Sequence, residues 1–321
     1  MKKQDKIYIA GHRGLVGSAI TRLLRTEGYQ NLLFQTSKEL DLRDFAKVQG
    51  FFASEKPDYV FLAAAKVGGI KANMTYPADF IFDNLMVQNS VIKACVDTGV
   101  KKLCFLGSSC IYPRECAQPI KEEYLMTGPL EPTNEGYALA KIAGLKMVKY
   151  FNQQYGFQAI CPMPCNLYGP GDSFDLENSH VLSALVRRFV DAAANGADEI
   201  TLWGTGVARR EFLHVDDLAR ATLMLMLRHD SADVINVGSG KDISIRELAG
   251  IIAQKAGYKG NVLWDSSKPD GMLLKCLDVS KISAYDFHPQ ITLAEGIDQV
   301  IADYKNRSAG KDSVEATGEK L

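Results

Sequence analysis

The sequence has almost no net charge. With 37 basic and 38 acidic residues in 321, and a formal charge of -1, it offers neither nucleic acid nor an anionic membrane a bulk attraction. Any phosphate it binds must be met by locally placed groups. No apolar run is long enough to span a bilayer. The start Met1-Lys2-Lys3-Gln4-Asp5-Lys6 passes into a short strand without the apolar segment of a secretory signal, so the expectation is a soluble, cytoplasmic protein. Histidine is scarce, at five residues with no H-x3-H spacing, and no C-x2-C pair stands beside them; no metal is expected. The seven cysteines, at 95, 104, 110, 116, 161, 165 and 276, are odd in number, irregularly spaced and mostly set in apolar runs. That pattern argues against a disulfide framework and fits a reducing compartment.

What is present alternates strand with helix, over a length that suits two closely joined domains or one elaborated α/β domain. Ile7-Tyr8-Ile9-Ala10 reads as a short buried strand, and Gly11-His12-Arg13-Gly14-Leu15-Val16-Gly17 follows as a glycine turn opening a helix. A G-x-x-G-x-x-G spacing there permits a tight turn, close backbone approach to a pyrophosphate and close packing of helix on strand. It predicts dinucleotide binding, where the plainer reading is an ordinary strand-to-helix turn. A second strand is expected over Leu32-Leu33-Phe34-Gln35-Thr36, ending in Ser37-Lys38-Glu39-Leu40-Asp41. No acidic residue stands where the adenosine ribose hydroxyls of NAD would be taken, while Ser37, Lys38 and Arg13 are placed to receive a 2′-phosphate, so NADP is expected.

Tyr59 to Ala65 reads as a third strand with Lys66-Val67-Gly68-Gly69-Ile70 as its loop, and a helix is expected from about 77 to 98. Lys102 to Gly107 is the fourth strand and delivers Ser108, Ser109 and Cys110 to its carboxyl end, where ligands bind in open α/β sheets. The alternation predicts the α/β class with a doubly wound, Rossmann-like parallel sheet.

Asn134-Glu135-Gly136-Tyr137-Ala138-Leu139-Ala140-Lys141 reads as helical, which sets Tyr137 and Lys141 on one face, roughly 6 Å apart along the axis. An ammonium about 4 to 5 Å from a phenol favours the phenolate by roughly 3 to 4 kcal/mol at an effective dielectric near 20. That interaction would carry the tyrosine from about 10 toward working pH. The bland alternative is a half-buried aromatic beside a solvated charge. Cys110 and His180 have equally ordinary readings, as a core thiol and a helix-start histidine, although both groups suit proton transfer.

With the glycine turn, the Ser108 strand end and Tyr137-x-x-x-Lys141 in order along one chain, the sequence resembles the extended short-chain dehydrogenase/reductase superfamily. Longer strings narrow it. Ala10-Gly11-His12-Arg13-Gly14, Leu62-Ala63-Ala64-Ala65-Lys66-Val67-Gly68-Gly69-Ile70, Gly107-Ser108-Ser109-Cys110-Ile111-Tyr112-Pro113, Leu130-Glu131-Pro132-Thr133-Asn134-Glu135 and Asn178-Ser179-His180-Val181 make it similar to the GDP-L-fucose synthase family, over roughly residues 6 to 304.

The resemblance implies conversion of GDP-4-keto-6-deoxy-D-mannose to GDP-L-fucose by C3/C5 epimerisation and NADPH-dependent reduction of the C4 ketone. It implies that Ser108 and Tyr137 hydrogen-bond the C4 oxygen, that Lys141 grips the nicotinamide ribose and tunes Tyr137, and that Cys110 and His180 are the acid/base pair. For NADP(H) it implies Gly11, His12, Arg13, Gly14, Leu15, Val16 and Gly17, then Ser37, Lys38, Asp41 and Leu42. Leu106, Gly107, Ser109, Lys141, Pro164, Asn166, Leu167 and His180 complete that set. Arg188, Trp203, Arg210 and Asp270 are implied to bind the GDP-sugar, and a homodimer is implied through the helices near 77 to 98 and 137 to 155. The alternatives are another nucleotide-sugar epimerase/reductase or dehydratase, or a non-catalytic NADP-sensing relative. A dehydratase wants an acid pair after the strand-end hydroxyl, and Ser109-Cys110 does not offer one.

Two places depart from the family's pattern. Cys165 stands before Asn166 where a small hydroxylated residue is commoner, and Met272-Leu273-Leu274-Lys275 replaces a usual Thr-Pro-Arg-Lys, removing a basic residue. Val234 to Gly238 reads as a strand returning to the main sheet, and Ser244-Ile245-Arg246-Glu247 as a capping box opening the helix Leu248 to Ala256. The expected division is therefore interleaved: residues 1–167 with about 214–240 for NADP, and about 168–213 with 241–305 as a smaller α/β substrate domain. From about 306 to 321 a polar, mobile tail is expected.

Overall fold

The computed structural model describes residues 1–175, 179–268 and 270–315. β1 (Ile7–Ala10) is buried along its whole length and turns at once into α1 (Leu15–Thr26). There follow β2 (Leu32–Leu33), α2 (Phe45–Glu55), β3 (Tyr59–Leu62), α3 (Ile70–Thr75), α4 (Pro77–Thr98) and β4 (Lys102–Phe105). After single-turn helices at Ser109–Ile111, Glu122–Tyr124 and Pro132–Asn134 come α5 (Glu135–Tyr155), β5 (Ala159–Pro164) and β6 (Asn166–Tyr168). The remainder is α6 (Val181–Ala194), β7 (Glu199–Trp203), β8 (Arg209–His214), α7 (Val215–Arg228), β9 (Val234–Val237), β10 (Asp242–Ser244), α8 (Ile245–Ala256), β11 (Asn261–Asp265), β12 (Leu274–Lys275), α9 (Ser280–Ser283) and α10 (Leu293–Glu315).

The main sheet has six strands in the order β2-β1-β3-β4-β5-β9, every neighbouring pair parallel. Its strands are continuous apolar runs because parallel sheets are covered on both faces; α1 packs on α7, while α2, α4 and α5 pack side by side. From β1 the chain moves out to β2 and then crosses back to β3, so the crevice beyond β1 and β3 is the topological switch point. The doubly wound fold expected from the sequence is present, and β9 does return to pair with β5.

A second set of elements surrounds its own core. β8 pairs antiparallel with β10 and parallel with β12 and β6, β7 pairs parallel with β11, and α6, α8 and α10 pack over them. Tyr168, Phe189, Phe212, Leu248 and Ile297 lie inside this cluster, separate from the core of the main sheet.

Some boundaries differ from expectation. β3 ends at Leu62, short of Ala65, because its ladder to β1 ends at Ala10 opposite Leu62, and β2 ends at Leu33, short of Thr36, where its pairing with β1 stops at Tyr8. α8 starts at Ile245 on the expected capping box: Ser244 Oγ accepts from Glu247 N–H at 3.1 Å and Ser244 N–H donates to Glu247 Oε2 at 2.9 Å. α10 continues to Glu315, past the expected start of a polar tail. Arg307 there donates to Asp303 Oδ1 at 3.1 Å and to the Asp172 carbonyl at 2.9 Å. The end of that tail, residues 316–321, lies outside the described residues, as does Asn178 of the Asn-Ser-His string. Among the described residues no helix is long and apolar enough to cross a membrane.

Candidate active site

The glycine turn is built as its spacing requires. Gly11 has φ +83°, and a Cβ on Gly17 would stand 2.1 Å from the Gly11 carbonyl oxygen, so neither position admits a side chain without moving backbone. Gly14 caps α1 without a side-chain acceptor, which leaves the first-turn N–H groups directed at the crevice. A cavity of about 630 Å³ opens there, lined by Gly11, His12, Arg13 and Gly14 on one side and Ser37, Asp41 and Leu42 on another, with Ala64, Ala65 and Lys66 closing it. Lys38 is exposed beyond that lining. The His12 ring packs on Phe34 at 4.9 Å with its Nδ1 buried and unpartnered, and burial together with the Arg13 guanidinium holds it below the ordinary imidazole value.

Carboxylates near the cavity are already engaged. Glu39 Oε2 accepts from Thr36 N–H and Oγ1, each at 2.7 Å. Asp41 pairs with Arg43 at 2.8 Å, and Asp83 pairs with Arg43 at 3.1 Å and Lys66 at 2.8 Å. An orphaned imidazole nitrogen, free helix N–H groups and a cradle that no Cβ can enter fit a dinucleotide.

At the carboxyl end of β4, Ser108 begins the turn Ser109–Ile111 and its Oγ lies 3.0 Å from Cys110 Sγ. Tyr137, on the first turn of α5, has Ser108 and Cys110 as its electrostatic neighbours. Ser108, Cys110 and Tyr137 are all partly exposed, so this thiol is not sealed in the core. Lys141, one turn further along α5, is buried; its Nζ donates to the Leu106 carbonyl at 2.9 Å and stands 4.9 Å from the Phe105 ring centroid. Gly107 keeps the strand close to β5, since a Cβ there would meet Met163 Sδ at 2.2 Å.

The expected tuning of Tyr137 by Lys141 is not what this arrangement produces. Burial, then the neighbouring Cys110, raises the phenol well above its ordinary value, with the Ser108 hydroxyl opposing, while burial lowers Lys141 to about 8. The ammonium is directed at a carbonyl and a ring face rather than at the phenol, and desolvation outweighs charge attraction.

His180 caps α6 in the second half of the chain. Its Nδ1 lies 3.8 Å from Asp172 Oδ1 and its side chain is 46% exposed. The Asp172 carboxylate raises the imidazole above its ordinary value. Asp172 is itself buried, accepting from Ser173 N–H at 2.8 Å and from Ser183 Oγ. Ser108, Cys110, Tyr137 and Lys141 are thus brought together at the end of β4, and among the described residues no hydrogen bond or ion pair joins His180 to them.

At the other end, Arg188 Nη1 donates to the Thr201 carbonyl at 3.1 Å, and Trp203 is 66% exposed with Lys268 over its ring at 5.8 Å. Asp270 is occupied by the turn after β7, accepting from Thr205 N–H at 2.7 Å and Thr205 Oγ1 at 2.6 Å. Asn166 donates to the Glu211 carbonyl at 2.8 Å, so its amide N–H group holds β8. Leu167 follows it in β6, and Pro164 ends β5.

Lys275 is the functional candidate that sequence reasoning passed over. It pairs in register with Arg210 across β12 and β8 and has Cys110, Cys116 and Cys165 as electrostatic neighbours; burial lowers both cations. Neither forms an ion pair within 4.0 Å among the described residues; Arg210 donates to the Arg209 and Met272 carbonyls and has Asp270 as its carboxylate neighbour. The signal was the lysine kept at the end of Met272-Leu273-Leu274-Lys275, overshadowed by the basic residue missing before it.

The NAD dependent epimerase/dehydratase family matches residues 7–238. "Putative GDP-L-fucose synthase 2" of Arabidopsis thaliana is 55% identical over 299 residues, 93% of this chain and 91% of that protein. "GDP-L-fucose synthase" of Escherichia coli (strain K12) is 51% identical over 306 residues, 92% and 95% respectively. Among solved structures, a GDP-L-fucose synthetase from Naegleria fowleri bound to NADP superposes with a TM-score of 0.89 at 30% identity, covering 96% of this chain and 95% of that one.

Proposed function

We propose, from the premise that this chain belongs to the NAD dependent epimerase/dehydratase family, that it is an NADPH-dependent enzyme converting GDP-4-keto-6-deoxy-D-mannose to GDP-L-fucose. Relatives bearing that activity in their names align over nine-tenths or more of the chain. The observation that carries the chemistry is the group at the end of β4, where Ser108 Oγ stands 3.0 Å from the Cys110 thiol and both are electrostatic neighbours of Tyr137.

One carbonyl explains why hydroxyl, phenol and thiol stand together. The C4 ketone acidifies the hydrogens on C3 and C5, and removing either puts negative charge on the same C4 oxygen. Ser108 and Tyr137 hydrogen-bond that oxygen through both epimerisations. Cys110 and His180 exchange the protons, on opposite sides of the ring. NADPH, when bound, supplies the hydride that reduces C4. Tyr137 delivers the final proton; its raised pKa keeps it protonated until the oxygen takes on charge.

The cavity at the glycine turn holds the cofactor. Arg13 and Ser37 take its 2′-phosphate, a role favoured by Glu39 being turned to Thr36 rather than free for ribose hydroxyls. Arg210 and Lys275 take the diphosphate of the GDP-sugar, with Arg188 and Trp203 beyond them. We assign NADPH to residues 1–167 with about 214–240, and the GDP-sugar to about 168–213 with 241–305. The exposed Phe82, Leu139 and Tyr150 on α4 and α5 favour a homodimer through those helices, and a cytoplasmic setting fits the free cysteines.

The test is incubation with GDP-4-keto-6-deoxymannose and either NADPH or NADH, followed by NMR of the product. GDP-L-fucose forming with NADPH supports the assignment; a product retaining the original C3 and C5 configurations replaces it with a simple 4-reductase.

A further inference from the structure

Glu211, in β8, is a carboxylate with 1% exposure and no cation on it among the described residues. Its Oε1 accepts from Gly240 N–H at 2.7 Å and its Oε2 from Leu277 N–H at 2.8 Å. Room is left by Gly238, where a Cβ would stand 2.1 Å from Oε1. The Glu211 main-chain carbonyl meanwhile accepts from Asn166 at 2.8 Å. One residue therefore ties the exit from β9, the chain beyond β12 and the start of β6 to a single strand.

Its neighbour in sequence is Arg210, which faces the opposite side of β8 because strand side chains alternate. β12 comprises only Leu274–Lys275 and pairs Lys275 with Arg210. Two residues form too short a ladder to hold a register alone. The anchors lie just beyond: Leu277 N–H on Glu211, Cys276 N–H on Gln118 Oε1 at 3.0 Å, and Ile120 N–H on the Cys276 carbonyl at 2.8 Å. All of the Glu211 carboxylate's partners are donors. A glutamine there would aim its own NH2 at one of those N–H groups and leave a buried donor unpaired.

We propose that Glu211 is a positioning residue for the GDP-sugar end of the site, its carboxylate setting the register that stands Lys275 beside Arg210. The inference rests on the reading of that end as the diphosphate grip.

The experiment is steady-state kinetics on the full chain with both substrates varied. Glu211→Gln raises the KM for the GDP-sugar about tenfold or more, the effect of roughly 1.4 kcal/mol in binding, while the KM for NADPH stays within about twofold. Glu211→Asp, which keeps both acceptors on a shorter arm, recovers part of the loss. Its smaller rise is in the same direction, so the proposal stands or falls on Glu211→Asp if Glu211→Gln does not fold. A parallel rise in both KM values, or an unchanged sugar KM in folded Glu211→Gln or, where that variant does not fold, in Glu211→Asp, overturns the proposal. Failure of the unmodified chain to turn over the keto sugar counts instead against the proposed function. In that event calorimetric binding of GDP to the unmodified chain and to both variants reads the same grip: weaker binding by the variants supports the role of Glu211, and equal binding refutes it.

Discussion

Lys141 shows what a single side chain costs and supplies. Burial brings it down to about 8 from an ordinary 10.5, a penalty of roughly 3 kcal/mol on its charged form. Below pH 8 both folded and unfolded chains hold the proton and the penalty is complete; between about 8 and 10.5 the unfolded chain binds more protons, so stability from this group rises with pH. Lys141→Met should therefore melt a few degrees above the unmodified chain at pH 7, with the gap narrowing at pH 9.5, and should lose reductase activity. A thermal melt at the two pH values checks it. His180 has the opposite sign, because the Asp172 carboxylate raises it. Its protonated form is favoured by folding below the ordinary imidazole value, and that stabilisation is lost as pH rises through the raised one. Asp172→Asn should move the His180 limb of the proton-exchange profile to lower pH, measured as deuterium uptake at C3 and C5; a limb that stays in place would show that Asp172 does not tune this imidazole.

At the scale of elements, local rules predict local failures. Gly17→Ala would drive a methyl to 2.1 Å from the Gly11 carbonyl oxygen, on the turn that carries the dinucleotide cradle. NADPH binding, followed by fluorescence, should be lost while sugar-nucleotide binding survives. Ser244→Ala removes an N-cap and one half of a capping box, costing about 1 kcal/mol in a denaturant melt without changing either KM. Both features were legible in the sequence, as were the main-sheet strands and the Tyr137–Lys141 face, because glycine spacing, capping and period are encoded within short windows. The end of β3 was not, since it is set by where its partner β1 stops. Nor was β12, two residues whose placement depends on Glu211 and Gln118 from distant segments. The direction of the Tyr137 shift is not legible in the sequence either, for a related reason. Spacing placed Lys141 on the same helical face, but the direction of its ammonium was decided by the Leu106 carbonyl and the Phe105 ring across the sheet.

For the whole molecule, the outer surface of α4 and α5 leaves Phe82, Leu139 and Tyr150 in solvent, more apolar area than a solvated helix pair needs. The proposed homodimer through α4 and α5 predicts that Phe82→Arg with Leu139→Glu lowers the mass measured by light scattering from twice the chain's to that of one chain; an unchanged mass contradicts that interface. The molecule's larger claim is that two interleaved halves bring separate chemistries to one ketone, with donors at the end of β4 shared by both. The most direct measurement follows deuterium uptake at C3 and C5 and hydride transfer at C4 in parallel, with GDP-4-keto-6-deoxymannose in D2O, for Tyr137→Phe and Cys110→Ser. The account predicts that Tyr137→Phe loses reduction and keeps some exchange, whereas Cys110→Ser loses exchange and keeps reduction of the unepimerised ketone. Equal loss of both activities in each variant would contradict it.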